Sequence, residues 1–138
     1  MSAYMRFSHY PSDAVLKQEW FALQCSLTSL RARLLVRRID RMRSESRCAV
    51  SMATQLLGRP AAHRGANRRA ASNTAGLLDS LSTDSRHLLT YAERLAERPT
   101  LPHEQRFRLE DAASDLRELS KYTFAMREEL IAKYCVFR

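Results

Sequence analysis

From Ser12 to Leu57 the chain runs without a single glycine or proline. That stretch limits what the protein can fold into more than any other feature. Pro11 and a Ser12-Asp13 pair stand before it, a cap and an acidic first turn; Gly58 and Pro60 follow it and stop a helix. Leu16, Trp20, Leu23, Leu27, Leu30 and Leu34 repeat at alternating intervals of four and three and fall on one helix face, which is read as the core face. Ile39, Met42, Ala49, Ala53 and Leu56 continue it after a small change of phase at Leu35. The pattern predicts one helix over 12–57, roughly 69 Å long at 1.5 Å per residue.

Two further helices are expected. Residues 58–72 hold Gly58 and Gly65 with Pro60 and several small polar residues, so they read as a basic loop. A second helix over 73–98 carries the stripe Leu77, Leu81, Leu88, Ala92 and Leu95, interrupted by Asp84 and weakened by the Ser/Thr/Asp run 80–85. Arg98-Pro-Thr-Leu-Pro102 is a short linker, and a third helix over 102–134 keeps an unbroken three-four spacing through Leu109, Ala112, Leu116, Leu119, Thr123, Met126 and Leu130. Its acids and bases nearly balance, with Glu104/Arg108 and Glu129/Lys133 in the favourable order, so it reads as structural.

The expected fold is all-α: an antiparallel three-helix bundle with coiled-coil-like packing and one very long N-terminal helix, or a four-helix bundle if that helix kinks near Ser44-Glu45-Ser46. Residues 12–138 would form this single domain behind an irregular N-terminal arm, 1–11, which contains three aromatics, Tyr4, Phe7 and Tyr10, and no periodicity. The first helix outruns the second by about 30 Å, and a symmetric homodimer along it would cover the excess.

Charge is where function enters. Of 23 basic residues 20 are arginine, and the formal charge is +8. Between Arg31 and Arg47 seven arginines meet two acids, and between Gly58 and Ala71 four arginines meet none. The excess therefore sits in two segments on a nearly neutral scaffold. Arg33, Arg37, Arg41, Arg43 and Arg47 fall opposite Leu35, Ile39 and Met42, with Arg31 and Arg38 at the margin of the apolar stripe. The ordinary meaning of such a run is a solvated face, but the usual alternation of sign is missing.

Catalysis finds little support. His9, His63, His87 and His103 are scattered, without metal-site spacing, and the glycines make no phosphate loop. His87 reads as a surface residue rather than a phosphoacceptor. Cys25, Cys48 and Cys135 have no CxxC spacing or histidine partner and read as small packing thiols. No metal or cofactor is implied. With no secretory h-region in MSAYMRFSHY and no run of about 18 apolar residues, a cytoplasmic location is expected.

Three kinds of partner suit these residues. Double-stranded RNA or DNA would lie along Arg33, Arg37, Arg38, Arg41, Arg43 and Arg47, with Arg59, Arg64, Arg68 and Arg69 adding contacts; arginine's planar fork suits phosphate. An acidic or helical protein, bound by an adaptor or regulator, is the alternative. An anionic membrane is disfavoured because no bulky apolar edge is evident beside the arginines. The turn Ala53-Thr-Gln-Leu-Leu-Gly-Arg-Pro60 is faintly similar, over eight residues, to nodavirus B2 proteins, small dimeric helical suppressors of RNA silencing that bind double-stranded RNA. Ser51 stands where that pattern expects arginine, and no family is assigned.

Overall fold

The computed structural model describes residues 12–60 and 63–136; the expected N-terminal arm lies outside them. The described residues form three helices and the turns between them, and each helix packs on both others. Helix α1 spans Asp13–Leu57 (45 residues), α2 Arg64–Ala96 (33 residues) and α3 His103–Tyr134 (32 residues). Ser12 caps α1, its hydroxyl accepting from the Val15 amide at 3.3 Å, and Asp13 places a carboxylate in the first turn. Helix α3 begins just after Pro102, whose fixed φ suits an entry, and ends at Cys135, which adopts a left-handed φ of 51° and turns Val136 back into the core.

Each helix buries a three-four series. On α1 it is Thr28, Ala32, Leu35, Ile39, Ser46, Ala49, Ala53 and Leu56, with the half-buried Met42 in the one gap; on α2 it is Ala71, Thr74, Leu78, Leu81, Ser85, Leu88, Ala92 and Leu95. Helix α3 contributes Leu109, Ala112, Leu116, Thr123, Leu130 and Tyr134. Two apolar clusters result. One gathers Leu35 and Ile39 with Leu88, Leu95, Leu109 and Leu116. The other sets Ala49, Ala53 and Leu56 against Ala75, Leu78, Leu130 and Tyr134. On each helix a buried polar residue falls between the two groups: Ser46, Ser85 and Thr123. Alanine, serine and threonine at so many core positions let the helix axes approach closely.

Two cations of α3 hold the ends of the other helices. Lys133 Nζ donates to the carbonyls of Leu57 and Arg59, both at 2.6 Å, and the Tyr134 hydroxyl donates to that of Leu56. Arg106 donates from Nε to Ala96 O at 2.9 Å and from Nη2 to Arg98 O at 3.1 Å and Leu101 O at 3.3 Å. The last carbonyls of α1 and α2 have no helical partner of their own, so these cations satisfy them and complement the helix dipoles. Lys133 is thus a cap, not the Glu129 partner expected from the i, i+4 order; Arg108 does pair with Glu104, at 2.8 Å.

Several expectations are corrected here. Helix α2 starts at Arg64 rather than near residue 73, so Arg64, Arg68 and Arg69 sit on a helix instead of in a loop. Gly65 and Gly76 lie inside it, and a Cβ at either would meet nothing within 4 Å. Gly76→Ala is therefore expected to stabilise the fold by about 0.5–1 kcal/mol, read as a rise in the urea midpoint at unchanged slope. Helix α2 passes unbroken through the Ser/Thr/Asp run because Ser85, not Asp84, takes the inward position, and Leu77 is exposed. Helix α1 does not end or fold back at Ser44-Glu45-Ser46, since Ser46 is itself a core residue. None of the cysteines is buried: Cys48 and Cys135 are exposed and Cys25 is half-buried, all as free thiols.

The largest correction concerns the core face of α1. Leu16, Trp20, Leu23, Leu27, Leu30 and Leu34 are exposed, Trp20 to 63%. The first buried residue of the helix is Thr28, whose hydroxyl meets that of Thr100 in the α2–α3 linker at 2.8 Å. Residues 13–27, roughly 22 Å of helix before that contact, include no buried residue.

Candidate functional site

Helix geometry places the arginines of α1 on the side away from its packed face. At about 100° per residue, Arg33, Arg37 and Arg41 make one row with a rise of about 6 Å per step; Arg38 lies on one flank and Arg47 on the other. All five are exposed, as is Arg31. Among the described residues no carboxylate takes their guanidinium groups. Helix α3 is different: Arg108 pairs with Glu104, Arg117 with Glu93 at 3.1 Å and Arg127 with Asp79 at 3.3 Å.

Arg43 leaves the proposed set. Its guanidinium pairs with Asp40 and with Asp115 of α3, both at 3.2 Å, and its Nε is buried without a partner. Its direction lies next to the core stripe, so it ties α1 to α3 rather than facing water.

The second basic block stands at the end of the molecule where α1 stops. Arg68 donates to Cys135 O at 3.2 Å and Arg59 to the Asn67 side chain, so both are engaged locally. Arg64 and Arg69 are exposed on the first turns of α2. Between Arg47 and this end runs roughly 15 Å of α1 bearing the exposed, uncharged Cys48, Ser51, Met52 and Gln55. The two blocks therefore form two separate patches.

A groove of about 570 Å³ opens between α1 and α2 beside the first patch. Leu35 and Leu88 floor it, Arg31 and Arg38 rim it from α1, and Asp84, His87 and Tyr91 rim it from α2. Sequence reading missed it because it needs the register of α2 against α1. His87 is exposed at this rim.

Lengthwise, the exposed face of α1 carries two chemistries in series. The sector that holds Leu16 through Leu34 continues into Arg37, Arg38 and Arg41. A bulky apolar edge does adjoin the arginines, contrary to expectation, because the leucines assigned to the core are outside it. The groups present offer charge, guanidinium forks and apolar area; among the described residues no cluster of His, Cys, Asp or Glu could hold a metal ion, and no helix is long and apolar enough to cross a membrane.

Comparison with protein-family models, curated proteins and solved structures returns no match to the chain. The Ala53–Pro60 segment that is faintly similar to nodavirus B2 proteins is the closing turn of α1: Ala53 and Leu56 are core, and Lys133 holds the carbonyl of Leu57.

Proposed function

We propose that the chain is a non-enzymatic, cytoplasmic nucleic-acid-binding protein that recognises the backbone and shape of a duplex, RNA or DNA. In this reading it is an antiparallel bundle with coiled-coil-like packing, carrying Arg33, Arg37, Arg38, Arg41 and Arg47 on α1 and Arg64 and Arg69 at the far end. The carrying observation is the contrast in pairing. Three of the four α3 guanidinium groups are matched by carboxylates and the fourth, Arg106, by backbone carbonyls, whereas those on the outer face of α1 are left to water over a span of about 21 Å. A stability role would favour pairs of opposite sign. Unpaired guanidinium groups in a row suit phosphates, which follow one another at about 3.4 Å per strand along a duplex axis. No aromatic side chain interleaves with this row, so stacking on single strands is not its mode.

The test is a titration of the full chain against double-stranded RNA, double-stranded DNA and a single strand at two salt concentrations. Sub-micromolar duplex binding is expected at physiological salt. Five phosphate contacts on B-DNA would weaken it roughly 500-fold between about 50 and 200 mM salt. Arg41→Glu/Arg47→Glu, at two exposed sites clear of the packed face, should cost at least tenfold in affinity. Binding that is weak, blind to strand type and unchanged in this variant would sink the reading. An adaptor or regulator that meets an acidic or helical protein is the second reading, favoured by the exposed leucines of α1.

A further inference from the structure

The apolar face Leu16–Leu34 is as large as the largest apolar patches that monomers expose, and such patches commonly mark interaction sites. About half of each of six large side chains stays in water, on the order of 600 Å² in one strip, at the upper limit of what monomers expose. Its four-three spacing is that of a coiled-coil seam, separate from the three-four series by which α1 packs on α2 and α3.

We propose that this strip pairs with the same strip of a second copy of the chain, antiparallel and centred near Cys25. In that register Leu16 lies opposite Leu34 of the second copy, Trp20 opposite Leu30 and Leu23 opposite Leu27, so all six positions are filled by one two-fold operation. The buried total is about 1,200 Å², the lower edge of specific interfaces, before the flanking side chains are added.

Charge selects the direction. The first half of the helix, residues 13–27, carries Asp13, Lys17 and Glu19, a net −1; residues 28–41 carry five arginines and Asp40, a net +4. Antiparallel pairing sets the acidic half of one copy on the basic half of the other, bringing Glu19 beside Arg33 and Asp13 opposite Arg37. Lys17 near Arg31 is the single like-charged approach. A parallel pair would instead stack Arg37 on Arg37 and Arg41 on Arg41 in the same seam, at a cost that no acid on this face offsets. The same acids argue against a lipid surface as the occupant, since helices that lie on anionic membrane carry bases along the whole polar face. Pairing engages Arg33 and Arg37 with acids of the second copy, and leaves Arg41 and Arg47 outside the seam for the nucleic-acid reading.

Sedimentation of the full chain over a micromolar range tests it. The expected mass is twice the 15.9 kDa of one chain. Leu23→Glu/Leu27→Glu should run as a single chain with its helical circular dichroism and melting cooperativity retained, because neither side chain belongs to a core cluster. Direction is read by crosslinking. With Cys25, Cys48 and Cys135 replaced by serine, a chain bearing Leu16→Cys and one bearing Leu34→Cys should form a mixed disulfide on oxidation, and each alone should form none. A single-chain mass at tens of micromolar, or a dimer indifferent to Leu23→Glu/Leu27→Glu, overturns the proposal. A disulfide of Leu16→Cys with itself overturns the antiparallel register. A single-chain mass together with sedimentation on vesicles of phosphatidylserine overturns it in favour of a membrane surface.

Discussion

Tyr134→Ala is expected to destabilise the fold by about 3–5 kcal/mol, the range for removing a large buried aromatic, and to lower the urea midpoint accordingly. Tyr134 is 1% exposed and packs in the second apolar cluster, against α1 and α2 near the C-terminal end of α3. The cluster mixes Leu56, Leu78, Leu130 and Ile131 with four alanines, Ala49, Ala53, Ala71 and Ala75, and these short side chains cannot swing into the space the ring would leave. A cavity there stays open, so the cost lies above the transfer term alone. Tyr134→Phe separates the two contributions. It keeps the ring and removes only the hydroxyl donated to Leu56 O, and about 1 kcal/mol should be lost. If the two substitutions cost the same, packing at this end is not what holds α1 to α3.

Arg106→Met comes next, at about 2–3 kcal/mol. The methionine keeps most of the length and apolar stem while removing the guanidinium from the carbonyls of Ala96, Arg98 and Leu101. Hydrogen bonds from a charged donor contribute about 1.5–3 kcal/mol, and these carbonyls, at a helix end and in a tight linker, have few substitutes. Arg108→Met, two residues on, is the control. Its partner Glu104 and Arg108 itself are largely exposed, so the loss should stay below about 1 kcal/mol. Thermal melts of the two variants side by side check the contrast; equal midpoints would mean that Arg106 is no more than a surface residue.

The parts of the fold that were legible in the sequence are those where apolar side chains and helix signals agree. Pro102, the Leu109–Leu130 spacing and the short 98–102 linker lead directly to α3, which is observed at His103–Tyr134. Helix α2 was read too short because its first turns combine Gly65, Gly76 and three arginines, which score as loop, while its inward residues there are only Ala71, Thr74 and Ala75. Small residues carry little hydrophobic signal, yet they are what lets helices approach. The same bias reversed the reading of the first half of α1. Leu16 to Leu34 is the stronger apolar series, but Thr28, Ala32 and Leu35 face the bundle, and nothing local in the sequence says that the α2–α3 linker meets α1 at Thr28. Of the candidate interface, the exposure of Arg33, Arg37, Arg38, Arg41 and Arg47 followed from helical spacing. The engagement of Arg43 did not, because it depends on Asp115, 72 residues away, coming alongside.

The Thr28–Thr100 contact also divides α1 into two cooperative units. Beyond it, residues 28–57 have the buried series to hold their backbone hydrogen bonds shut, and amide protons there are expected to exchange only by large-scale opening. Before it, residues 13–27 have a good cap at Ser12 but almost no buried area, and a helical segment of about 15 residues is marginal on its own in water. That segment is expected to zip outward from Thr28 and to fray from Asp13 inward. Its order is therefore set less by its own sequence than by whatever lies against its leucines, so that burial of the strip and winding of the helix are one equilibrium.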